Sequence, residues 1–276
     1  MRLSLFRRLV QTTSALFSNS FVASFFVSNI NRDGLKGVCV PFLNCYACPS
    51  ALFSCPIGTL QHFMALRTVP FYLLGFLGLV GMTVGRMPCG WICPFGFLQD
   101  LMYRIRSPKY RIPRLLSYLK FLTLLLLVIV IPFETGEVWF SKLCPAGTLT
   151  AALPWLLWDP VNAATGQPVV QESPGMVFYL GLLILAGFLG WFVVSKRPFC
   201  RVACPLGAIF SVFNRYSLIR LEVVPQCDGC NTCEIHCPMD LNVYEDIDTM
   251  DCIRCLECTR CGHVKVVSSL ALTKEV

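Results

Sequence analysis

Charge is scarce in this chain. Only 14% of its 276 residues are charged and the mean hydropathy is +0.63, whereas soluble domains carry about 25% charged residues. That shortage argues against an ordinary soluble fold and points to a membrane protein. Histidine is rarer still, with three residues. His62 alone lies near an apolar run, where a lone histidine is more often packed or solvated than ligating, so the sequence offers no good haem site. His236 and His263 stand beside cysteines and read as their neighbours. No carboxylate falls inside the apolar runs, which argues against proton or ion pumping by this chain alone. There is no G-x-G-x-x-G run and no flavin-binding segment, so hydride-carrier chemistry has no basis here. The net charge of +7 is not a nucleic-acid footprint, because charge is segregated along the chain. Residues 86–114 hold six basic side chains against Asp100, and residues 221–276 hold ten acids against four bases.

Long apolar runs are present instead. Thr68–Gly85, Leu115–Pro132 and Met176–Ser195 match the roughly 17–25 residues that a bilayer requires. Lys120 is the one charge inside them, near an end from which it can snorkel to the interface. Leu9–Ile30 is a weaker fourth run, holding Gln11 and Asn19 and preceded by Arg2, Arg7 and Arg8; a cleaved signal peptide is its other reading. The expected spans are therefore about 9–30, 68–85, 115–132 and 176–195. Basic loops face the cytoplasm, so the N-terminus, residues 86–114 and residues 196–220 are expected inside. Residues 32–61 and the acidic loop 133–175 are expected outside, with Trp139, Trp155 and Trp158 as an aromatic belt. The expected setting is a bacterial-type inner membrane, with the chain multi-pass, in contact with membrane lipid and with both termini cytoplasmic.

Seventeen cysteines are too many for chance, and a secreted disulfide scaffold would be short and poor in membrane runs. Four of them open a repeat: Cys55-Pro-Ile-Gly, Cys93-Pro-Phe-Gly, Cys144-Pro-Ala-Gly and Cys204-Pro-Leu-Gly. Each is followed by an apolar stretch with helical spacing, and in the expected topology the copies alternate between the two faces. Two related hairpin units follow from that alternation.

The C-terminal cysteines form two runs. Residues 227–237 read C-x2-C-x2-C-x3-C and residues 252–261 read C-x2-C-x2-C-x2-C. Three thiolates on one tight loop grip three corners of a cubane, and in two-cluster ferredoxins each run lends its last cysteine to the other cluster. One [4Fe–4S] cluster is thus assigned to Cys227, Cys230, Cys233 and Cys261, and a second to Cys252, Cys255, Cys258 and Cys237. Zinc is the other reading of paired C-x2-C, but eight cysteines in two such runs speak against it. The expected fold is an all-α integral membrane protein. It has about four transmembrane helices, short re-entrant or interfacial helices after the C-P-x-G loops, and a small α+β two-cluster ferredoxin domain. Residues 1–220 form the transmembrane part and residues 221–276 the cytoplasmic ferredoxin-like part.

Over about residues 68–265 the chain resembles the membrane polyferredoxins of the NapH type, the membrane subunit of quinol-linked periplasmic nitrate reductase systems. The resemblance rests on Cys89-x3-Cys93-Pro, Cys200-x3-Cys204-Pro and the two ferredoxin runs; membrane regions of NosR-like proteins share the pattern. It implies four spans, cytoplasmic clusters and electron transfer between quinol and a partner redox protein. The chain departs from the pattern at Gly262, which follows Cys261 where proline would stand.

Cys89, Cys93, Cys200 and Cys204 supply four thiolates at the expected inner face, enough for a third [4Fe–4S] cluster. Proline suits the first helical turn, glycine permits close backbone approach, and a helix start favours an anion. Arg86, Arg197 and Arg201 add positive charge. The other reading is two separate C-x3-C pairs acting as structural or redox thiols. At the expected outer face, Cys45, Cys48, Cys55 and Cys144 are candidates for a fourth cluster, with Cys39 left over; disulfides are the alternative there. The functional expectation is a membrane electron-transfer subunit of a larger oxidoreductase, working with catalytic or redox subunits. Quinone is a candidate ligand and quinol dehydrogenation a candidate role. An accessory factor supplying electrons or metal to another redox enzyme is the alternative.

Overall fold

Two helices are long and apolar enough to cross a membrane, Arg114–Thr135 and Met176–Val194. They belong to a mostly helical chain, whose computed structural model describes residues 2–22, 24, 34–158, 175–227, 229–244, 247 and 249–268. The expectation of about four spans is corrected to these two. The helix from the first expected span is Arg2–Ser18, with 17 residues; residues 25–30 of that run lie outside the described residues, as do 159–174 of the acidic loop and 269–276. The second expected span forms only Phe71–Val84, with 14 residues, about 21 Å at 1.5 Å per residue against a hydrocarbon core of about 30 Å. Pro70 sets its start, and Gly85 ends it with φ +61°. That left-handed backbone suits glycine, and a Cβ there would stand 2.6 Å from Asn214 Oδ1.

The two long helices bury only 22% and 17% of their most apolar stretches, so they are not core helices of a soluble fold. Helix Arg2–Ser18 is inverted in the same sense. Arg7, Gln11 and Ser18 are buried, while Leu5, Phe6, Leu9, Leu16 and Phe17 are exposed. Large exposed apolar faces need an apolar surrounding or a partner.

A separate small α+β two-cluster domain is not seen either. The C-terminal part holds two strands, β1 (Ile219–Val223) and β2 (Val264–Ser268), paired antiparallel with Leu221 opposite Val266. It adds the single-turn helices Thr232–His236 and Glu257–Cys261. Its core is continuous with that of the helical part, because Leu221, Met239, Ile253 and Val264 belong to one apolar cluster with Leu77, Phe95 and Phe210. Polar ties reinforce this junction. Trp91 Nε1 donates to Arg254 O at 3.0 Å, Asn214 Nδ2 to Thr249 O at 2.7 Å, and the buried Arg254 guanidinium to Asn214 O at 2.5 Å.

Candidate metal centres

Each C-P-x-G turn is the start of a helix. The cysteine stands at the N-cap with extended backbone and proline occupies the first turn, in helices Pro56–Ala65, Pro94–Met102, Pro145–Gly147 and Pro205–Asn214. In two copies the cysteine acts as the cap itself: Gly96 N–H donates to Cys93 Sγ at 3.4 Å and Gly207 N–H to Cys204 Sγ at 3.3 Å. A free helix-start amide thus points at sulfur, the arrangement that favours a thiolate.

Cys89, Cys93, Cys200 and Cys204 are buried together. Around them the two halves exchange arginines. Arg86 Nη2 donates to Cys200 O at 3.1 Å, and Arg197 Nη1 donates to Cys89 O at 2.7 Å. Each arginine also packs on the glycine of the other half. A Cβ on Gly207 would lie 3.0 Å from Arg86 Nη2, and one on Gly96 would lie 3.2 Å from Arg197 Nη1. The geometry is that of a local twofold. Carboxylates hold the arginines in place: Arg197 grips Asp100 at 2.7 and 2.5 Å, and Arg86 lies 3.3 Å from Asp251 Oδ1, which Lys120 also binds. Gln99 Nε2 reaches Cys200 Sγ at 3.1 Å. Burial pushes Cys93 and Cys200 up to about 11, with Arg197 acting in the opposite sense. Burial and the neighbouring Cys200 and Cys89 raise Cys204 well above its usual value.

At the expected outer set, Cys45, Cys55 and Cys144 line one small cavity with Leu43, Ile57 and Phe140. A Cβ on Gly147 would stand 3.5 Å from Cys45 Sγ, and one on Gly58 would stand 2.5 Å from the Tyr46 ring. Burial pushes Cys45 and Cys55 up to about 12, and Cys144 adds to both. Cys48 lies a turn away, its Sγ 3.3 Å from Ser50 Oγ, and its N–H donates to Cys45 O at 3.1 Å. Cys39 faces Thr59 Oγ1 at 3.3 Å. The structure therefore brings three of the four expected outer cysteines to one cavity, with Cys48 and Cys39 outside its lining.

The ferredoxin runs interleave. Burial raises the Cys233 thiol, and Cys261 and Cys227 raise it further. Cys230 is exposed and hydrogen-bonded to Thr232 Oγ1. Cys237, Cys252, Cys255 and Cys258 line one apolar cavity with Met239, Leu241 and Ile253. Each run thus sets its last cysteine beside the other run's thiols, as a two-cluster ferredoxin requires.

All seventeen cysteines are free thiols here, and among the described residues no three His, Cys, Asp or Glu side chains converge tightly enough for a single metal ion. A cubane spreads its ligands over separate corners. Thiol-only donor sets in apolar surroundings, with helix-start amides aimed at sulfur, fit such a group. When bound, a [4Fe–4S] cluster supplies one-electron exchange. The arginine, carboxylate and glutamine neighbours were not assigned roles from sequence, apart from the positive charge of the arginines. Their signal is a longer motif, R-x2-C-x3-C-P-x-G, present at residues 86–96 and again at 197–207.

The 4Fe-4S binding domain family matches residues 53–69, 68–113, 119–158 and 177–221, together more than half of the chain. The chain belongs to that family, as a NapH-type polyferredoxin. It is an iron–sulfur electron-transfer protein that uses [4Fe–4S] clusters. Each of the four matched segments contains one C-P-x-G turn, which gives the short repeat a family counterpart. An uncharacterized protein of Methanocaldococcus jannaschii is 32% identical over 212 residues, 72% of this chain and 79% of its own length. The methylamine utilization ferredoxin-type protein MauN of Paracoccus denitrificans is 27% identical over 246 residues, 85% of this chain and 75% of its own. The ferredoxin-type protein NapH of Escherichia coli is 28% identical over 160 residues, and the match spans 55% of this chain and about half, 47%, of that relative. No solved structure matches the chain.

Proposed function

We propose that this polyferredoxin is a membrane-embedded electron-transfer subunit of a larger oxidoreductase. It relays electrons between the quinone pool, or an outer redox partner, and clusters on the cytoplasmic side. The observation that carries the reading is the convergence of Cys89, Cys93, Cys200 and Cys204 from two halves of the chain, under two buried arginines. A pair of unrelated structural thiol motifs has no need of such an exchange. The inverted helix Arg2–Ser18 and the outward apolar faces of the two long helices support a lipid surrounding. The basic side chains of residues 86–114 and 196–220 favour a cytoplasmic position for those segments and for the chain that follows them. Residues 221–276 then carry the two ferredoxin clusters there. Their sequence holds ten acids against four bases, a balance that suits a basic redox partner.

Four cysteine sets correspond to four cubanes, about 16 iron per chain. Anaerobic purification in detergent, with iron and acid-labile sulfide measured per polypeptide, tests this. Near 16, clusters occupy both membrane sets. Near 12, the outer set is empty and the relay ends at Cys93. Near 8, the membrane sets carry no clusters and the proposed relay is wrong.

A further inference from the structure

The residues that make Arg2–Ser18 a poor span are the ones that tie the cysteine sets together. Read along the helix, its polar side chains meet one set after another. Arg7 Nε lies 3.4 Å from Glu257, between Cys255 and Cys258 of the second ferredoxin run. Gln11 Nε2 donates to Gly90 O at 2.9 Å and Ser14 Oγ to Ile92 O at 2.9 Å, both within the inner C-x3-C loop. One turn later, Ser18 O accepts from Asn44 Nδ2 at 3.3 Å and from Leu52 N–H at 2.9 Å, in the outer loop. Ser18 Oγ donates back to Ser14 O at 2.6 Å. An unbroken hydrogen-bond ladder, Ile92–Ser14–Ser18–Asn44, therefore joins the residue before Cys93 to the residue before Cys45.

We propose that helix Arg2–Ser18 is a ruler that sets three cysteine centres in file, with the second ferredoxin run, the inner set and the outer set within electron-transfer reach of one another. From Arg7 to Ser18 the rise is about 16 Å, and from Ser14 to Ser18 about 6 Å, well short of a hydrocarbon core of about 30 Å. A second helix also keeps the inner–outer interval well short of the hydrocarbon core. On Met176–Val194, Gly181 abuts Thr148 Oγ1 and Lys142 O beside Cys144, and Phe192 meets the Phe95 ring at 5.6 Å beside Cys93; these contacts lie about 16 Å apart along the helix. The intervals are also bridged directly. A Cβ on Gly90 would lie 2.6 Å from Ile253 O of the second ferredoxin run. On the other side, the backbone amides of consecutive residues serve different sets, Leu43 acting on Cys93 and Asn44 on Cys55. One electron can pass from set to set with no bond made or broken and no haem between them.

The inference rests on the cluster reading above, and one preparation separates the two. The full chain is purified anaerobically, its iron counted, and the fully reduced sample examined by electron paramagnetic resonance over a range of microwave power. The expected result is about 16 iron with mutually broadened, fast-relaxing signals from neighbouring centres. About 16 iron with a spectrum that is a plain sum of isolated centres at every power overturns the ruler and leaves the cluster reading standing. A shortfall of about four iron removes the outer centre and with it both readings of that set. The double variant Ser14→Ala, Asn44→Leu is expected to keep its iron but lose at least half of the inner–outer broadening. Ser14→Thr, which keeps the hydroxyl, is expected to retain the broadening. Unchanged broadening in the double variant would show that the ladder does not set the spacing.

Discussion

The set of Cys89, Cys93, Cys200 and Cys204, termed inner, and the outer set of Cys45, Cys55 and Cys144 share one turn and differ in what surrounds it. Both use the C-P-x-G helix start, with the glycine pressed against a neighbour: arginine and carbonyl at Gly96 and Gly207, the tyrosine ring at Gly58, and a carbonyl and cysteine sulfur at Gly147. Around the inner set stand two fully buried guanidiniums, two carboxylates and a glutamine that reaches sulfur. The outer cavity is lined by leucine, isoleucine, phenylalanine and tyrosine, with Asn44 and Ser141 as its other polar side chains. The turn therefore supplies the grip and the surroundings supply the charge. Positive charge and hydrogen bonds to sulfur raise the reduction potential of an anionic cluster, whereas an apolar cavity lowers it. The inner centre is expected to accept electrons more readily than the outer one, so electrons arriving at the Cys55–Cys144 set would run downhill to Cys93.

The largest expected effect comes from breaking the arginine exchange. Arg197→Met removes a buried guanidinium, takes the bidentate partner from the part-buried Asp100, which keeps only Arg7 at 3.6 Å, and removes the donor to Cys89 O. Loss of one member of a buried ion pair costs about 3–5 kcal/mol. Thermal unfolding in detergent should fall accordingly, with loss of the inner signal and retention of the outer one; equal loss of both would erase the contrast between the sets. A smaller effect is expected from Gly207→Ala, whose Cβ would press on Arg86 Nη2 at 3.0 Å. Overpacking of this kind costs about 1–3 kcal/mol. Gly147→Ala is expected to be milder, because its tightest contact is 3.2 Å, to Ser141 O. Unfolding midpoints of the two variants, compared side by side, test whether the arginine makes the inner turn the less tolerant one.

The cysteines were legible in the sequence because cluster ligation leaves a fixed spacing; Cys237, Cys252, Cys255 and Cys258 line one cavity, Cys89, Cys93, Cys200 and Cys204 are buried near one another, and their assignment to clusters is the proposal that the iron count tests. Cys48 was less legible. It is one of the four outer candidates by sequence, and the turn sets its sulfur beside Ser50 Oγ. Span counting overreached for a physical reason. Hydropathy sums an apolar run without seeing that Gly85 and Arg86 must turn into the inner site, or that Gln11 and Ser14 are spent on carbonyls of the inner cysteine loop while Ser18 O accepts from Asn44. The separate ferredoxin domain failed similarly, since the contact of Gly90 with Ile253 joins loops 163 residues apart and leaves no periodic trace. The arginines were noticed as charge, but their crossing between halves could be read only once R-x2-C-x3-C-P-x-G was aligned with its second copy.

The smallest predicted effect is the sharpest test of the contrast between the sets. Gln99 is fully buried, and its Nε2 is shared between Phe95 O at 3.3 Å and Cys200 Sγ at 3.1 Å. The local twofold places Phe210 at the equivalent position of the other half, so the donor acts on one cysteine of the four. Gln99→Leu removes the bond to sulfur, together with the weaker one to the Phe95 carbonyl, without altering charge, and nearly conserves volume. Its Oε1 has no partner among the described residues, so little else is lost, and the stability change should stay within about 1.5 kcal/mol. A redox titration followed by electron paramagnetic resonance should show the inner midpoint shifted to a lower potential while the outer midpoint and those of the two ferredoxin centres stay where they were. A shift shared by all centres would mean that the protein field as a whole, rather than the groups touching each sulfur, sets the order of potentials along the relay.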